Sequence, residues 1–263
     1  IPLYDLELPI LAKSLDRFES EGIRVLVSSE KAVKICRDKW ETKKFLEDCN
    51  LKAPQTYVKF ETFIKELEEN KISFPVILKP RWGMGSLGQF EADNVEEVLI
   101  FYKKISRYIE NFSNVAPTIL DWLMSKENLI LIQEKVFGEE YGLDVINDLN
   151  ANYVATISKR KISMRAGETD AAITIKSPIL SELGEKISKN LRHIANLDID
   201  LILTKEGPFV LDMNPRFGGG YPFSHLAGVN LPAAVVSWLM GEPAQPSCFF
   251  YNTNVVGIKG LLP

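Results

Sequence analysis

Between Asn196 and Gly220 apolar and polar residues alternate over two stretches joined by a tight turn, and this pattern constrains the fold more than any other in the chain. Ile199 to Leu203 and Phe209 to Met213 read as the strands of a hairpin turning through Lys205-Glu206-Gly207-Pro208. Successive side chains of a strand leave opposite faces, so Asp212 and Asn214 share one face while Leu211 and Met213 share the other. Asp200 stands on the antiparallel neighbour, and Arg216, two residues past Asn214, points to the same side just before Gly218-Gly219-Gly220. Oxygen ligands gathered on one face suit a hard cation such as Mg²⁺, with phosphates and waters completing its shell. Arg216 offers a planar fork for a phosphate or a developing oxyanion. An exposed hairpin face of mixed charge explains Asp200 equally well. It does not explain an amide and an arginine in line with Asp212 ahead of three glycines.

The rest of the chain mixes helical and strand periods without an internal repeat. Asp5 reads as the cap of a helix with Leu8, Leu11, Leu15 and Phe18 at helical spacing, closed by Gly22 before a strand over 23–28. A second helix starts at Asp38, carries Trp40, Phe45 and Leu46, and ends near Asn50. Then come a short strand over 56–60, a helix over 61–70, the apolar run 74–78 into Lys79-Pro80, and a long helix from about Asn94 to Glu110. Leu129 to Gln133 is continuously apolar, which predicts a central place in a sheet. Tyr141 to Ile146 and Tyr153 to Ile157 form a further hairpin, and helices follow over 179–195 and 233–240. The expected picture is two sheets with helices outside, facing each other.

Two more groups of residues carry chemistry. Lys79 ends an apolar strand and is followed by Gly83, Gly85, Ser86 and Gly88, so backbone N–H groups approach a phosphate while the ammonium supplies charge. The loop has neither the Gly-Lys-Ser/Thr of a Walker loop nor a helix-opening Gly-x-Gly-x-x-Gly. A glycine turn beside an incidental lysine is an equally good account of it alone. Gln133-Glu134-Lys135-Val136-Phe137-Gly138-Glu139-Glu140 ends a buried strand in a carboxylate and a short linker, which suits an adenine edge or a ribose diol. Taken alone, it is more often a solvated rim.

Composition narrows the classes. With 263 residues a two-lobed core is affordable, and 31 Lys plus Arg against 35 Asp plus Glu leave a net charge of −4. That removes the general electrostatic argument for nucleic acid or a membrane surface. Cys36, Cys49 and Cys248 follow no metal or disulfide spacing and read as free thiols in a reducing compartment. With only His193 and His225, a multi-histidine metal site is impossible. His193 reads as a helix residue with no nameable partner, and His225 as a structural residue near the glycines. No apolar stretch reaches the roughly 20 residues of a bilayer span and no leader pattern opens the chain, so the expected compartment is the cytoplasm.

In this order and approximate spacing, Lys39 after Asp38, Lys79 with its glycine loop, Gln133-Glu134-Lys135 with Gly138-x-Glu140, and Asp200 with Asp212-x-Asn214-Pro215-Arg216 resemble the ATP-grasp superfamily. Glu140-Tyr141-Gly142-Leu143-Asp144-Val145 and Arg165-Ala166-Gly167-Glu168-Thr169 resemble its carbamoyl-phosphate-synthase large-subunit-like branch. The likeness runs from about Asp5 to Glu242. It implies an α+β or α/β fold of two α+β lobes clasping a nucleotide. Residues 1–37 would be the remnant of a preceding Rossmann-like domain, whose cut strand is Ile1-Pro2-Leu3-Tyr4. Residues 38–137 would form the small lobe with the helix leading into it, and 138–263 the large lobe with the metal site.

The resemblance also implies roles. Lys39 and Lys79 would contact ATP phosphates, and Lys79 would also lie near the adenine. Gly83, Gly85, Ser86 and Gly88 would fold over the phosphates, with Trp82 and Met84 standing where many relatives have more glycine. Glu134 and the backbone of Lys135, Val136 or Phe137 would meet adenine, and Glu140 the ribose hydroxyls. Asp200, Asp212 and Asn214 would bind Mg²⁺ or Mn²⁺, Asp212 being one methylene shorter than the glutamate common there. Arg216 and Lys79 would act catalytically on the transferring phosphoryl group.

The implied activity is a ligase joining a small-molecule carboxylate to an amine or thiol through an acyl phosphate. Such chemistry needs positioning and charge neutralisation and no protein nucleophile. Rival readings are a carbamoyl-phosphate-synthase-type subunit phosphorylating bicarbonate or carbamate, and an ATP-binding module without turnover. Arg165 and Glu168 read as part of a loop that either covers the substrate or is simply solvent-exposed, and a homodimer is allowed.

Overall fold

The computed structural model describes residues 1–83, 85–115 and 128–260. Two antiparallel sheets carry the fold. The smaller is built from β1 (Thr56–Tyr57), β2 (Val76–Pro80), β3 (Phe90–Ala92) and β4 (Ile130–Glu134) in the order β1-β4-β2-β3. The apolar run ending at Gln133 is thus an inner strand, as its lack of alternation predicts. Helices α5 (Phe60–Glu68) and α6 (Val95–Val115) cover this sheet, with Phe63, Val98, Ile105 and Trp82 in the shared core. Trp82 is therefore packing the small sheet rather than standing in the loop.

The larger sheet contains β5 (Glu139–Asn147), β6 (Tyr153–Arg165), β7 (Glu168–Ile175), β8 (Ala195–Thr204), β9 (Gly207–Asn214) and β10 (Val256–Ile258). Its order is β10-β7-β6-β5-β8-β9. Period-two alternation divides its two faces. Tyr141, Leu143, Val145, Leu197, Ile199 and Met213 turn to one side and pack with α7 (Pro178–Leu191), α3 (Glu30–Arg37) and α4 (Lys39–Asp48). Gly142, Asp144, Asp198, Asp200, Asp212 and Asn214 alternate with them and turn to the other. On that other face Ile146 and Ile157 pack with α8 (Tyr221–Leu226) and α9 (Leu231–Leu239).

The hairpins and most helices fall where the periodicity puts them, with differences that have physical causes. Helix α4, read above with the small lobe, sets Leu46 into the core of the large sheet. The first helix is two, α1 (Leu8–Lys13) and α2 (Leu15–Ser20), meeting at Ser14. Asp5 does not cap it; Asp5 is buried as an ion-pair partner, described below. Residues 23–28 pair with no described strand, although Leu26 and Val27 are buried and Ser28 Oγ accepts from Ile194 N at 3.1 Å. They are held by side-chain burial rather than by a ladder. The 165–168 segment is a two-residue turn between β6 and β7, with Ala166 at φ 49° and Gly167 at φ 79°. Such a pair of left-handed residues is the usual two-residue hairpin turn, and Gly167 was the signal for it. His193 lies beyond the end of α7, fully buried, with Nε2 on the carbonyl of Val145 at 3.0 Å. His225 holds the carbonyl of Val229 through Nδ1 at 2.8 Å.

Candidate active site

Asp38 sets one wall. Its carboxylate accepts from the backbone N–H of Trp40 and Glu41, capping α4, and takes Arg81 through two hydrogen bonds of 2.7 Å. Lys39 N also donates to Arg81 O at 3.0 Å, so the start of α4 is tied to the end of β2. This places Lys39 Nζ 2.8 Å from Asp212 Oδ2 and 3.4 Å from Gly83 O. Lys79, 7% exposed on β2, donates to Gln133 Oε1 at 2.8 Å. Burial, and then the charge of Lys39, push Lys79 down to about 8, with Asp212 pulling the other way. Lys79 of the small sheet, Lys39 of α4 and the acidic end of the large sheet therefore share one neighbourhood. Met84 lies outside the described residues.

The opposite wall comes from register. Asp200 pairs with Asp212 and Asp198 with Asn214 across β8 and β9, so four oxygen-bearing side chains stand on one face. All four border a cavity of about 810 Å³, with Arg216, Lys159 and Lys161. Asp198 opens the strand in the sequence pattern but receives no ligand role there: burial, and then the charges of Asp200 and Asp144, push it up to about 8 against the pull of Lys159 and Arg216. A Cβ on Gly218 would stand 2.0 Å from the Asp198 carboxylate carbon, so the glycine run leaves room for that acid.

Each cation on this face has a carboxylate. Lys161 lies 2.6 Å from Asp200 and 3.8 Å from Glu140. Burial alone would lower Lys161, but Asp200, then Glu140 and Asp198, hold it above the ordinary lysine value. Arg216 donates Nε and Nη2 to Asp5 at 3.0 and 2.7 Å and Nη1 to Phe217 O at 2.9 Å. Lys159 Nζ is bonded to Asp144 Oδ2 and, at 3.1 Å, to Ser224 Oγ, while Asn196 Nδ2 reaches Asp144 Oδ1 at 3.1 Å. Apart from the Arg216–Phe217 contact, none of these partnerships is visible in local sequence, because each joins different segments of the chain.

Of the other predicted nucleotide-binding residues, only Gly85 borders this cavity. Glu134, Lys135 and Phe137 line a separate crevice of about 170 Å³ with residues 70–75. Glu134 Oε1 accepts from Gln55 N at 2.7 Å, and Lys135 pairs with Glu91 at 2.7 Å. Val136 is half-buried, Phe137 is exposed, and Glu140 faces Lys161. Gly85 borders the large cavity and abuts the β6–β7 turn, where a Cβ on Gly167 would stand 2.4 Å from the Gly85 carbonyl oxygen. Ser86 adopts φ 56° and Gly88 φ 73° in the same loop. Among the described residues no three His, Cys, Asp or Glu side chains close into a complete metal cage. An open set of carboxylates plus an amide is what a phosphate-bound Mg²⁺ uses, so the donors fit. Among those residues, too, no helix is long and apolar enough to cross a membrane.

Comparison with known proteins gives a consistent picture. A family model described as ATP-grasp domain matches residues 36–220. The carbamoyl phosphate synthase large chain of Helicobacter pylori (strain ATCC 700392 / 26695) is 23% identical over 261 residues, 94% of this chain and 22% of that protein. The chain therefore spans about a fifth of that relative's length. The biotin carboxylase domain of Hydrogenobacter thermophilus 2-oxoglutarate carboxylase, solved with MgADP, ADP and bicarbonate, superposes with a TM-score of 0.68 at 17% identity. That match covers 95% of this chain and 55% of the other. L-amino acid ligase from Bacillus licheniformis gives 0.63 at 19% identity, over 95% of this chain and 57% of that one. These structures share the fold.

Proposed function

This chain is a member of the ATP-grasp family, and from that premise we propose that it is an ATP- and Mg²⁺-dependent ligase that activates a carboxylate as an acyl phosphate for attack by an amine or thiol. The observation that carries the reading is the 2.8 Å contact of Lys39 with Asp212, with Lys79 beside it. It sets phosphate-binding cations directly against oxygen donors for a cation.

In this reading the triphosphate lies between the sheets. Lys39 and Lys79 exchange Asp212 and Gln133 for phosphate oxygens, and backbone N–H groups of Gly83, Gly85, Ser86 and Gly88 cover them. Glu134 with the Lys135–Phe137 backbone meets adenine, and Glu140 the ribose. Asp200, Asp212 and Asn214, joined by Asp198, would hold Mg²⁺, which supplies charge neutralisation at the phosphate oxygens. Arg216 then faces the charge that develops as the γ-phosphoryl group passes to the carboxylate. No protein nucleophile is needed, and among the described residues that line the cavity there is neither a Ser-His-Asp nor a Cys-His set.

The test is nucleotide binding and ADP release by the full chain with pooled carboxylates and amines, hydroxylamine serving to trap an acyl phosphate. Asp212→Ala is expected to abolish Mg²⁺-dependent ADP release. Undiminished release in that variant, or no nucleotide binding by the wild type, overturns the reading.

A further inference from the structure

Beside Arg216 the lining of the large cavity changes character: Phe217 packs on Tyr221 of α8, and Met164, Pro222, Phe223 and Val236 also border the cavity. Met164 is 42% and Val236 55% exposed, so apolar surface stands open beside the carboxylates. Covering such surface is favourable by roughly 25 cal/mol per Å². Cavities of about 300–1,000 Å³ are the usual size for organic ligands. This one, at about 810 Å³, is far larger than bicarbonate needs even beside a phosphate tail.

The same lining holds a donor. Lys159 faces Gly142 in the β5–β6 register, and a Cβ on Gly142 or Gly220 would stand 3.7 or 3.6 Å from its Cε or Nζ. The two glycines leave room beside the ammonium of Lys159, a residue that is 2% exposed and borders the cavity. Of its three N–H groups, Asp144 and Ser224 take two, which leaves one. Burying such a pair costs desolvation that apolar residues would avoid, so a donor fixed here has a ligand-binding rationale. Arg216 likewise keeps an N–H on each terminal nitrogen after serving Asp5 and Phe217.

Building on the ligase reading above, we infer that this part of the cavity binds the carboxylate substrate and selects an organic acid with an apolar body over bicarbonate. Its carboxylate meets Lys159 and Arg216, and its body lies along Phe223 and Val236. These groups bind the acid and orient it; the phosphoryl transfer itself is that of the ligase reading.

Isothermal titration of the full chain tests this with 3-phenylpropionate, 4-methylpentanoate, acetate, bicarbonate and 3-phenylpropionamide, with and without Mg²⁺ and a non-hydrolysable ATP analogue. The two apolar acids are expected to bind at least tenfold more tightly than acetate, bicarbonate or the amide. Val236→Glu, at an exposed position that tolerates charge, is expected to remove at least tenfold of that affinity while the nucleotide constant stays within twofold. Equal binding of acetate or bicarbonate, absence of any acid binding, or apolar binding indifferent to Val236→Glu overturns the inference. Acid binding that Val236→Glu abolishes in a chain that binds no nucleotide upholds this pocket and removes the ligase reading. Nucleotide binding with no preference for apolar acids does the reverse.

Discussion

Asp5 and Arg216, 211 positions apart, are joined by hydrogen bonds of 3.0 and 2.7 Å, and the same carboxylate lies 3.3 Å from Arg37 Nη1. Asp5 is 2% and Arg37 3% exposed, and among the described residues Arg37 Nε and Nη2 find no acceptor. One buried acid thus fixes the orientation of the arginine proposed to meet the phosphoryl group. Asp5→Ala removes the nearest carboxylate from two largely buried guanidinium groups and is expected to cost about 3–5 kcal/mol in urea unfolding. The double variant Asp5→Ala/Arg216→Leu should lose less than the sum of the single changes. Strict additivity would show that the contact does not couple them.

Lys79 gives a pH dependence with a definite sign. Its folded value of about 8 lies below the ordinary 10.5, so the unfolded chain binds more protons between those pH values. The cost of burying the charged lysine is fully present below pH 8 and is relieved as pH rises toward 10.5. Phosphate binding favours the charged form, so nucleotide affinity should fall as pH climbs through 8. Calorimetry in buffers of different ionisation enthalpy should show proton uptake on binding near that pH. Lys79→Met should bind weakly, with the uptake gone.

His193 acts at the other end of the scale. Burial lowers it to about 4 despite its bond to Val145, so between pH 6.5 and 4 the unfolded state takes up the proton first. Stability should drop by about 3 kcal/mol as pH falls through that window. His193→Gln is expected to flatten this acid slope in denaturant titrations, whatever it does to stability at neutral pH. A slope unchanged by the substitution would assign the acid sensitivity to other groups.

Gly218 tests the acidic wall without removing a donor. A Cβ there meets only the Asp198 carboxylate within its closest contacts, so Gly218→Ala displaces that side chain rather than the backbone. The Mg²⁺ concentration for half-maximal nucleotide binding is expected to rise about tenfold, or ~1.4 kcal/mol, with thermal stability nearly kept. A variant with unaltered Mg²⁺ demand would exclude Asp198 from the donor set.

The alternation around Asp212 and Asn214, the inner strand ending at Gln133 and the cap at Asp38 were legible because each rests on local periodicity or on a neighbour three residues away. Asp198 shares the alternation with Asp200, yet its place opposite Asn214 depends on register, which the pattern did not supply. Asp5, Asp144 and Lys159 were illegible for a stronger reason. Their partners come from other elements, and a lone acid or lysine in a strand looks the same whether it is solvated or buried in a pair. Strand β7 opens on Glu168-Thr169-Asp170, a polar start that resembles a loop, and only the Ala166-Gly167 turn distinguishes it.

The pairing of Lys39 with Asp212, Lys161 with Asp200, Lys159 with Asp144 and Arg216 with Asp5 means that most of the charge on this face is balanced from within. At the Lys39–Asp212 contact, an anion arriving alone strands the carboxylate and a cation arriving alone strands the ammonium. Only an anion and a cation arriving together let both halves of a pair trade partners without stranding a charge. An anion and its cation are accordingly expected to bind there more tightly together than either does alone.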